Sequence, residues 1–83
     1  MRHKQVFDYD GLQEAAASAV KQAGLKQLEI AEALGVQKGS ISRALKYSGA
    51  KYSNLQVRIL EYLNPNYRIE QSTVFQAVRR DRI

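Results

Sequence analysis

Residues 27–45 of the 83-residue chain read QLEIAEALGVQKGSISRAL. Aliphatic residues recur at helical spacing on both sides of Gly35, which predicts two short helices joined by a tight turn. Such helices cross at a steep angle, so the small residue Ala31 suits their closest approach. Gly35 lies at the turn, where a positive φ carries no steric penalty for glycine. The remaining aliphatic positions are expected to close the wedge between the helices: Val36, Ile41 and Leu45.

A further helix is expected before this pair. Asp10 followed by Gln13 has the pattern of a capping box, which predicts a helix start. Gly24 is suited to the left-handed conformation that ends a helix. The apolar residues between these points fall on one helical face: Leu12, Ala15, Ala16, Ala19, Val20 and Ala23.

The other helices follow from the same spacing. The second is expected over residues 26–34 and the third over residues 38–46, followed by a loop at 47–52. Ser53 with Gln56 predicts a capping box that opens a fourth helix, which ends at Asn64-Pro65. The predicted inward residues of these helices are Leu28, Ile30, Ala31 and Leu34, then Ile41, Ala44 and Leu45, then Leu55, Ile59, Leu60 and Leu63.

The termini carry weaker patterns. Residues 1–9 predict a short extended arm or edge strand. The tail, residues 65–83, favours one or two strands over a short helix capped by Ser72. The chain is therefore expected to be one mainly α, compact domain of four to five helices, with an arm (1–9), a helical core (10–64) and a possible dimerisation tail.

Composition limits the function classes. The chain has no cysteine, which excludes disulfides and thiolate metal sites. His3 is expected to be a solvated tail residue, and no Gly-rich phosphate loop, metal-ligand spacing or nucleophile–base set occurs. We therefore expect no enzyme activity, no metal and no cofactor. No apolar run has the length of a membrane span or a signal peptide, so a cytoplasmic, nucleoid-associated location is expected.

Charge is distributed unevenly along the chain. The net charge is +5, and no acidic residue occurs between Glu32 and Glu61. The basic residues in that window are Lys38, Arg43, Lys46, Lys51 and Arg58. This pattern indicates either a solvated basic face or a surface for a polyanion. An α-helix fits the major groove of B-DNA, where Arg and Lys donate to guanine. The outward face of the third helix is expected to carry Lys38, Gly39, Ser40, Ser42, Arg43 and Lys46.

The pattern Gln27-x3-Ala31-x3-Gly35-Val36-x4-Ile41-x3-Leu45 resembles the helix-turn-helix of phage repressor and Cro-type regulators. The resemblance extends over about residues 13–63 and implies a prokaryotic or phage origin. It also implies that Gln27 contacts the DNA backbone or braces a base-reading residue. The residues that match base-contacting positions of that family are Lys38, Gly39 and Arg43.

Two positions depart from the family pattern. Gly39 replaces a longer polar residue, so it is expected to permit close approach without side-chain readout. Lys26 replaces the usual Ser or Thr cap of the second helix.

Roles for the candidate DNA-binding residues follow from the residues and the resemblance together. Lys38 and Arg43 are expected to read bases, and Ser40 and Ser42 to meet bases or phosphates. Lys46 and Lys51, with Gln27 and Tyr52 as lesser candidates, are expected to contact phosphates. Stacking of Tyr47 and Tyr52 on single-stranded bases is a less favoured alternative.

We therefore expect a sequence-specific binder of double-stranded operator DNA, a transcriptional regulator that acts as a repressor by occupying its site. Homodimerisation is expected through residues 67–78, as paired strands with Val74 and Phe75 at the centre. The alternative is a protein–protein interaction module, or an antitoxin-type protein that binds both an operator and a protein partner. Loss of binding with rising salt separates DNA contacts from an apolar protein interface.

Overall fold

The computed structural model describes residues 5–71 and 75–79 of the chain. The mainly helical prediction is confirmed, with four helices followed by a strand hairpin. In chain order the elements are β1 (Gln5–Phe7), α1 (Tyr9–Ala23), α2 (Gln27–Leu34), α3 (Lys38–Lys46), α4 (Ala50–Leu63), β2 (Tyr67–Gln71) and β3 (Phe75–Arg79).

One hydrophobic core joins the four helices. Each helix contributes residues from its inward face, as the helical spacing predicts. The buried members are Leu12, Ala16, Val20, Ile30, Ala31, Ile41, Ala44, Ile59 and Leu60. Since α3 supplies only Ile41 and Ala44 to this cluster, most of its surface is available for another role.

The first helix begins earlier than its sequence pattern suggests. Asp8, not Asp10, is the N-cap, and its Oδ1 accepts a hydrogen bond of 2.7 Å from the backbone N–H of Gly11. With this start, Phe7 directly precedes the N-cap and packs against the core that contains Leu12. Such an apolar contact across the start of a helix is a hydrophobic staple, and it favours Asp8 over Asp10 as the N-cap. The Asp10 carboxylate instead accepts a hydrogen bond of 2.6 Å from the Ser48 hydroxyl.

The predicted capping box of α4 is also wrong. The helix begins at Ala50, and the N-cap is Gly49, whose φ of 113° favours glycine. Ser53 lies one turn inside the helix, where its hydroxyl donates to the carbonyl of Ala50 at 3.1 Å. The Gln56 side chain is fully buried and binds the end of α3, so it is unavailable for capping. The predicted end of α4 at Asn64 is confirmed.

The predicted burial of Leu28 is wrong. We expected it in the core, but its side chain is 51% exposed. Ile30 and Ala31 form the buried side of α2. A residue two positions before Ile30 lies on the far side of a helix, because successive residues are about 100° apart.

The two terminal regions form one antiparallel sheet in the order β1-β3-β2. This confirms the predicted edge strand for residues 5–7 and the preference for strands in the tail. Phe7 and Ile69 pack against the helical core, and Ala77, which pairs with Ile69, is buried. A Glu61 carboxylate oxygen accepts a hydrogen bond of 2.7 Å from the Ile69 N–H, which ties β2 to α4.

The central place of β3 revises the expected dimer surface. The backbone of Phe75 pairs with Phe7 on one side and with Gln71 on the other. Strand pairing between two copies centred on Phe75 is therefore sterically blocked, and it would have to use an outer edge of β1 or β2. Val74, the other predicted centre, lies outside the described residues.

Candidate nucleic-acid interface

Helix α3 presents a polar, acid-free face to solvent. Ile41 and Ala44 point into the core, and Ser40 is half-buried beside them. The exposed positions are Lys38, Gly39, Ser42, Arg43 and Lys46. Six of the nine candidate residues, counting Ser40, therefore lie on one nine-residue helix whose predicted bounds are confirmed. Such a face offers hydrogen-bond donors and positive charge without a carboxylate to repel a polyanion.

The turn before α3 sets its angle to α2. Gly35 ends α2 with a φ of 72°, as the pattern predicts. The N–H of Val36 then donates to the carbonyl of Ala31 at 3.0 Å, which holds the turn against the preceding helix. Ala31 is 1% exposed, so a larger side chain there would push α2 away from its neighbours.

Two glutamines hold the opposite end of α3. Gln56 Nε2 donates to the carbonyls of Ala44 at 2.7 Å and Tyr47 at 2.8 Å. Gln13 Nε2 of α1 donates to the carbonyl of Leu45. The last carbonyls of a helix lack partners within the helix, so these side chains satisfy them and fix the direction of α3. The capping patterns in the sequence place both glutamines at helix starts and do not predict this role.

Gly39 and Arg43 lie one helical turn apart and are coupled. A Cβ atom added at Gly39 would lie 3.4 Å from Nη1 of Arg43. The guanidinium therefore extends back along α3 over the position where a larger residue would have its side chain.

A basic and aromatic cluster lies where α3 ends and α4 begins. The rings of Tyr47 and Tyr52 have centroids 5.7 Å apart, with an interplanar angle of 33°. The ammonium of Lys46 lies 5.7 Å from the Tyr47 centroid, and that of Lys51 lies 5.7 Å from the Tyr52 centroid. The structure thus brings together the three residues expected to contact phosphates at this end. It adds Tyr47, which is 46% exposed.

The start of α3 lies near a second set of lysines. Lys38 and Gln27 line one open groove, together with Lys21 at the end of α1 and Lys26 before α2. The last two were not predicted as site residues. Their sequence signal is two lysines five positions apart across the α1–α2 turn, but Glu29 and Glu32 follow closely and obscure it. In the fold, Glu29 is engaged with the backbone and accepts a hydrogen bond of 2.8 Å from the Lys26 N–H.

Arg58 has a different role from the other basic residues of the acid-free window. Its Nη2 donates to the carbonyl of Leu34 at 2.6 Å, at the end of α2. The side chain therefore joins α4 to α2, and we do not place it in the interface.

Within residues 5–71 and 75–79, no three His, Cys, Asp or Glu side chains are grouped as metal ligands. None of the described helices combines the length and apolar character needed to cross a bilayer. His3 lies outside the described residues.

Comparison of the chain with protein-family models, with curated proteins and with solved structures found no match.

Proposed function

We propose that this chain binds double-stranded DNA in a sequence-specific manner, with α3 as the recognition helix in the major groove. The observation that carries the proposal is the exposed, acid-free face of α3 on a helix whose two ends are both held by the rest of the fold. A helix held in this way loses little conformational entropy on binding, so its side chains meet base edges in a fixed register.

Each candidate residue has a role in this proposal. Lys38 and Arg43 donate to base edges, and Gly39 lets the helix backbone approach the groove. Ser42 is exposed and reaches a base or a phosphate. Ser40 is half-buried, so less of its side chain is accessible for such a contact. The phosphate contacts come from Gln27, Lys46, Lys51 and Tyr52.

The biological role proposed is that of a transcriptional regulator that represses by occupying an operator. The helix pair with Gly35 at its turn supports this role, in keeping with the resemblance to phage repressor and Cro-type regulators. One α3 reads only a few base pairs, so a homodimer would read two half-sites about 34 Å apart.

Selection from random duplex DNA, followed by fluorescence anisotropy on the enriched sequence at several salt concentrations, tests the proposal. We expect an inverted repeat that is bound far more tightly than random duplex, with affinity falling steeply as salt rises. If no sequence is enriched and binding is independent of salt, the proposal is wrong. The helix pair would then be a scaffold for a protein partner.

A further inference from the structure

An open groove of about 750 Å³ lies where the end of α1 meets the starts of α2 and α3. Three lysines line it, and all three are exposed: Lys21, Lys26 and Lys38. No carboxylate is among the described residues of its lining. We call this surface the lysine groove. Its three positive charges favour an anionic occupant.

Apolar side chains also line the lysine groove. Val20 is buried there, Leu25 is half-buried, and Leu28 is 51% exposed. A nucleic-acid backbone alternates charged phosphates with deoxyribose rings, whose carbon faces are apolar. A lining that combines lysine and leucine side chains is complementary to both parts of that repeat.

The lysine groove and the cluster of Lys46 and Lys51 lie at different ends of α3. Lys38 is the first residue of that helix and Lys46 is the last. Eight helical rises of 1.5 Å separate them by about 12 Å along the axis. The lysine groove and the cluster of Lys46 and Lys51 therefore lie at opposite ends of α3.

We infer that the lysine groove receives the phosphate backbone on one side of the major groove, while Lys46 and Lys51 contact the backbone on the other side. Lys21 and Lys26 each neutralise one phosphate, and Leu28 packs on deoxyribose. This inference rests on the proposed DNA binding. It extends the interface to α1, which carries no base-reading residue.

The test compares three proteins on the enriched duplex across a salt series: the wild type, Lys21→Gln with Lys26→Gln, and Lys21→Arg with Lys26→Arg. Loss of two phosphate contacts should reduce the slope of log affinity against log salt by roughly 1.8. The ratio of affinities for enriched and scrambled duplex should stay unchanged, because phosphate contacts carry no sequence information. The arginine pair should keep the wild-type slope. Circular dichroism shows whether each protein is folded.

A second comparison tests the apolar part of the groove lining. Leu28→Glu places a carboxylate in the lysine groove, and Tyr62→Glu makes the same charge change at a side chain of similar exposure, 45%, in the last turn of α4. We expect Leu28→Glu to weaken duplex binding at least several-fold more than Tyr62→Glu, because only its carboxylate faces the backbone.

The outcomes separate the two proposals. If the wild type shows a steep salt slope and the glutamine pair keeps it, the lysine groove does not contact DNA. An acidic segment of a partner protein would then be the class of ligand that its charge fits. If the wild type shows no salt-dependent duplex binding, the proposed function fails and this inference fails with it.

Discussion

Arg43 is the residue on which the proposed base readout depends most. It is exposed on α3, and the space above Gly39 leaves its guanidinium free to extend along the helix. Arg43→Ala should weaken binding to the enriched duplex by about 1–3 kcal/mol and relax the preference at one base position. Anisotropy on the enriched duplex and on its single-base variants measures both effects.

Arg43→Lys is the matched control for that prediction. It keeps the charge but not the forked pair of donors, so it should retain the salt slope while losing the base preference. Unchanged affinity and unchanged preference in Arg43→Ala would show that α3 is not the recognition helix.

Replacement of Gly39 should change helix stability and the proposed DNA binding in opposite directions. It is exposed in the first turn of α3, and its φ is not positive, so alanine fits the backbone. Gly39→Ala should raise the free energy of unfolding by about 0.5–1 kcal/mol through helix propensity. It should also weaken duplex binding, because the added methyl group would stand between the helix backbone and the groove that Gly39 is proposed to let it approach.

Urea unfolding and anisotropy measure these two effects independently. Ser18→Ala, on the exposed side of α1, is a control that should gain stability without any change in duplex affinity. A Gly39→Ala protein that is stabilised and still binds duplex as the wild type does would remove the close-approach role.

At the scale of elements, the attachment of α3 to α4 depends on one buried amide. Gln56 donates to two carbonyls at the end of α3, while its Oε1 is buried without a partner among the described residues. Gln56→Met keeps the volume and removes both bonds. It should destabilise the fold by about 1–3 kcal/mol, because two carbonyls lose their donor. Duplex affinity should fall as well, since α3 is less firmly oriented.

Urea unfolding of Gln56→Met measures the loss, with Gln22→Met at an exposed position of α1 as the control that should change little. Wild-type stability in Gln56→Met would mean that relief of the unpartnered Oε1 offsets the two lost bonds.

Element boundaries show what the sequence predicts and where it fails. The bounds of α3 and the glycine ends of α1 and α2 follow from local rules, since periodicity and positive φ are properties of short segments. The starts of α1 and α4 do not. Asp10 and Ser53 each satisfy a local capping pattern, but long-range contacts decide the start, through the packing of Phe7 and the burial of Gln56.

The sequence likewise predicts only part of the candidate site. The outward residues of α3 follow from helical periodicity, so their common face was foreseeable from the sequence. The lysine groove was not, because Lys21 and Lys26 meet Lys38 only when α1, α2 and α3 pack together. Proximity of residues that are far apart in the chain is a tertiary property, and a charge pattern along the sequence does not contain it.

At the scale of the whole molecule, the small size of the domain and the shortness of the proposed recognition helix both favour a dimer. Val78 is half-buried and pairs with exposed Arg68, whereas the neighbouring Ala77 is buried against the helices. Val78 therefore lies on the outer face of the sheet, within the expected dimer surface. Sedimentation equilibrium should give a dimer for the wild type and a monomer for Val78→Glu, because a desolvated carboxylate opposes association.

Ser18→Glu introduces the same charge on α1 and should remain a dimer. If Val78→Glu sediments as the wild-type dimer does, the outer sheet face is not the dimer surface. If the wild type is monomeric, two-fold reading of an inverted repeat is wrong, although binding of a single half-site stays open to the same protein.

The attachment of α3 by Gln13 and Gln56 has a consequence for its dynamics. A nine-residue helix that contains Gly39, Ser40 and Ser42 has little stability of its own. Because its final carbonyls are held from both α1 and α4, fraying at that end requires these hydrogen bonds to break. Amide hydrogen exchange within α3 should therefore proceed mainly through global opening of the domain, with protection similar to that of α1 and α4. If α3 reads DNA as proposed, its reading surface is then either fully formed or absent, and partly melted forms of the helix are rare.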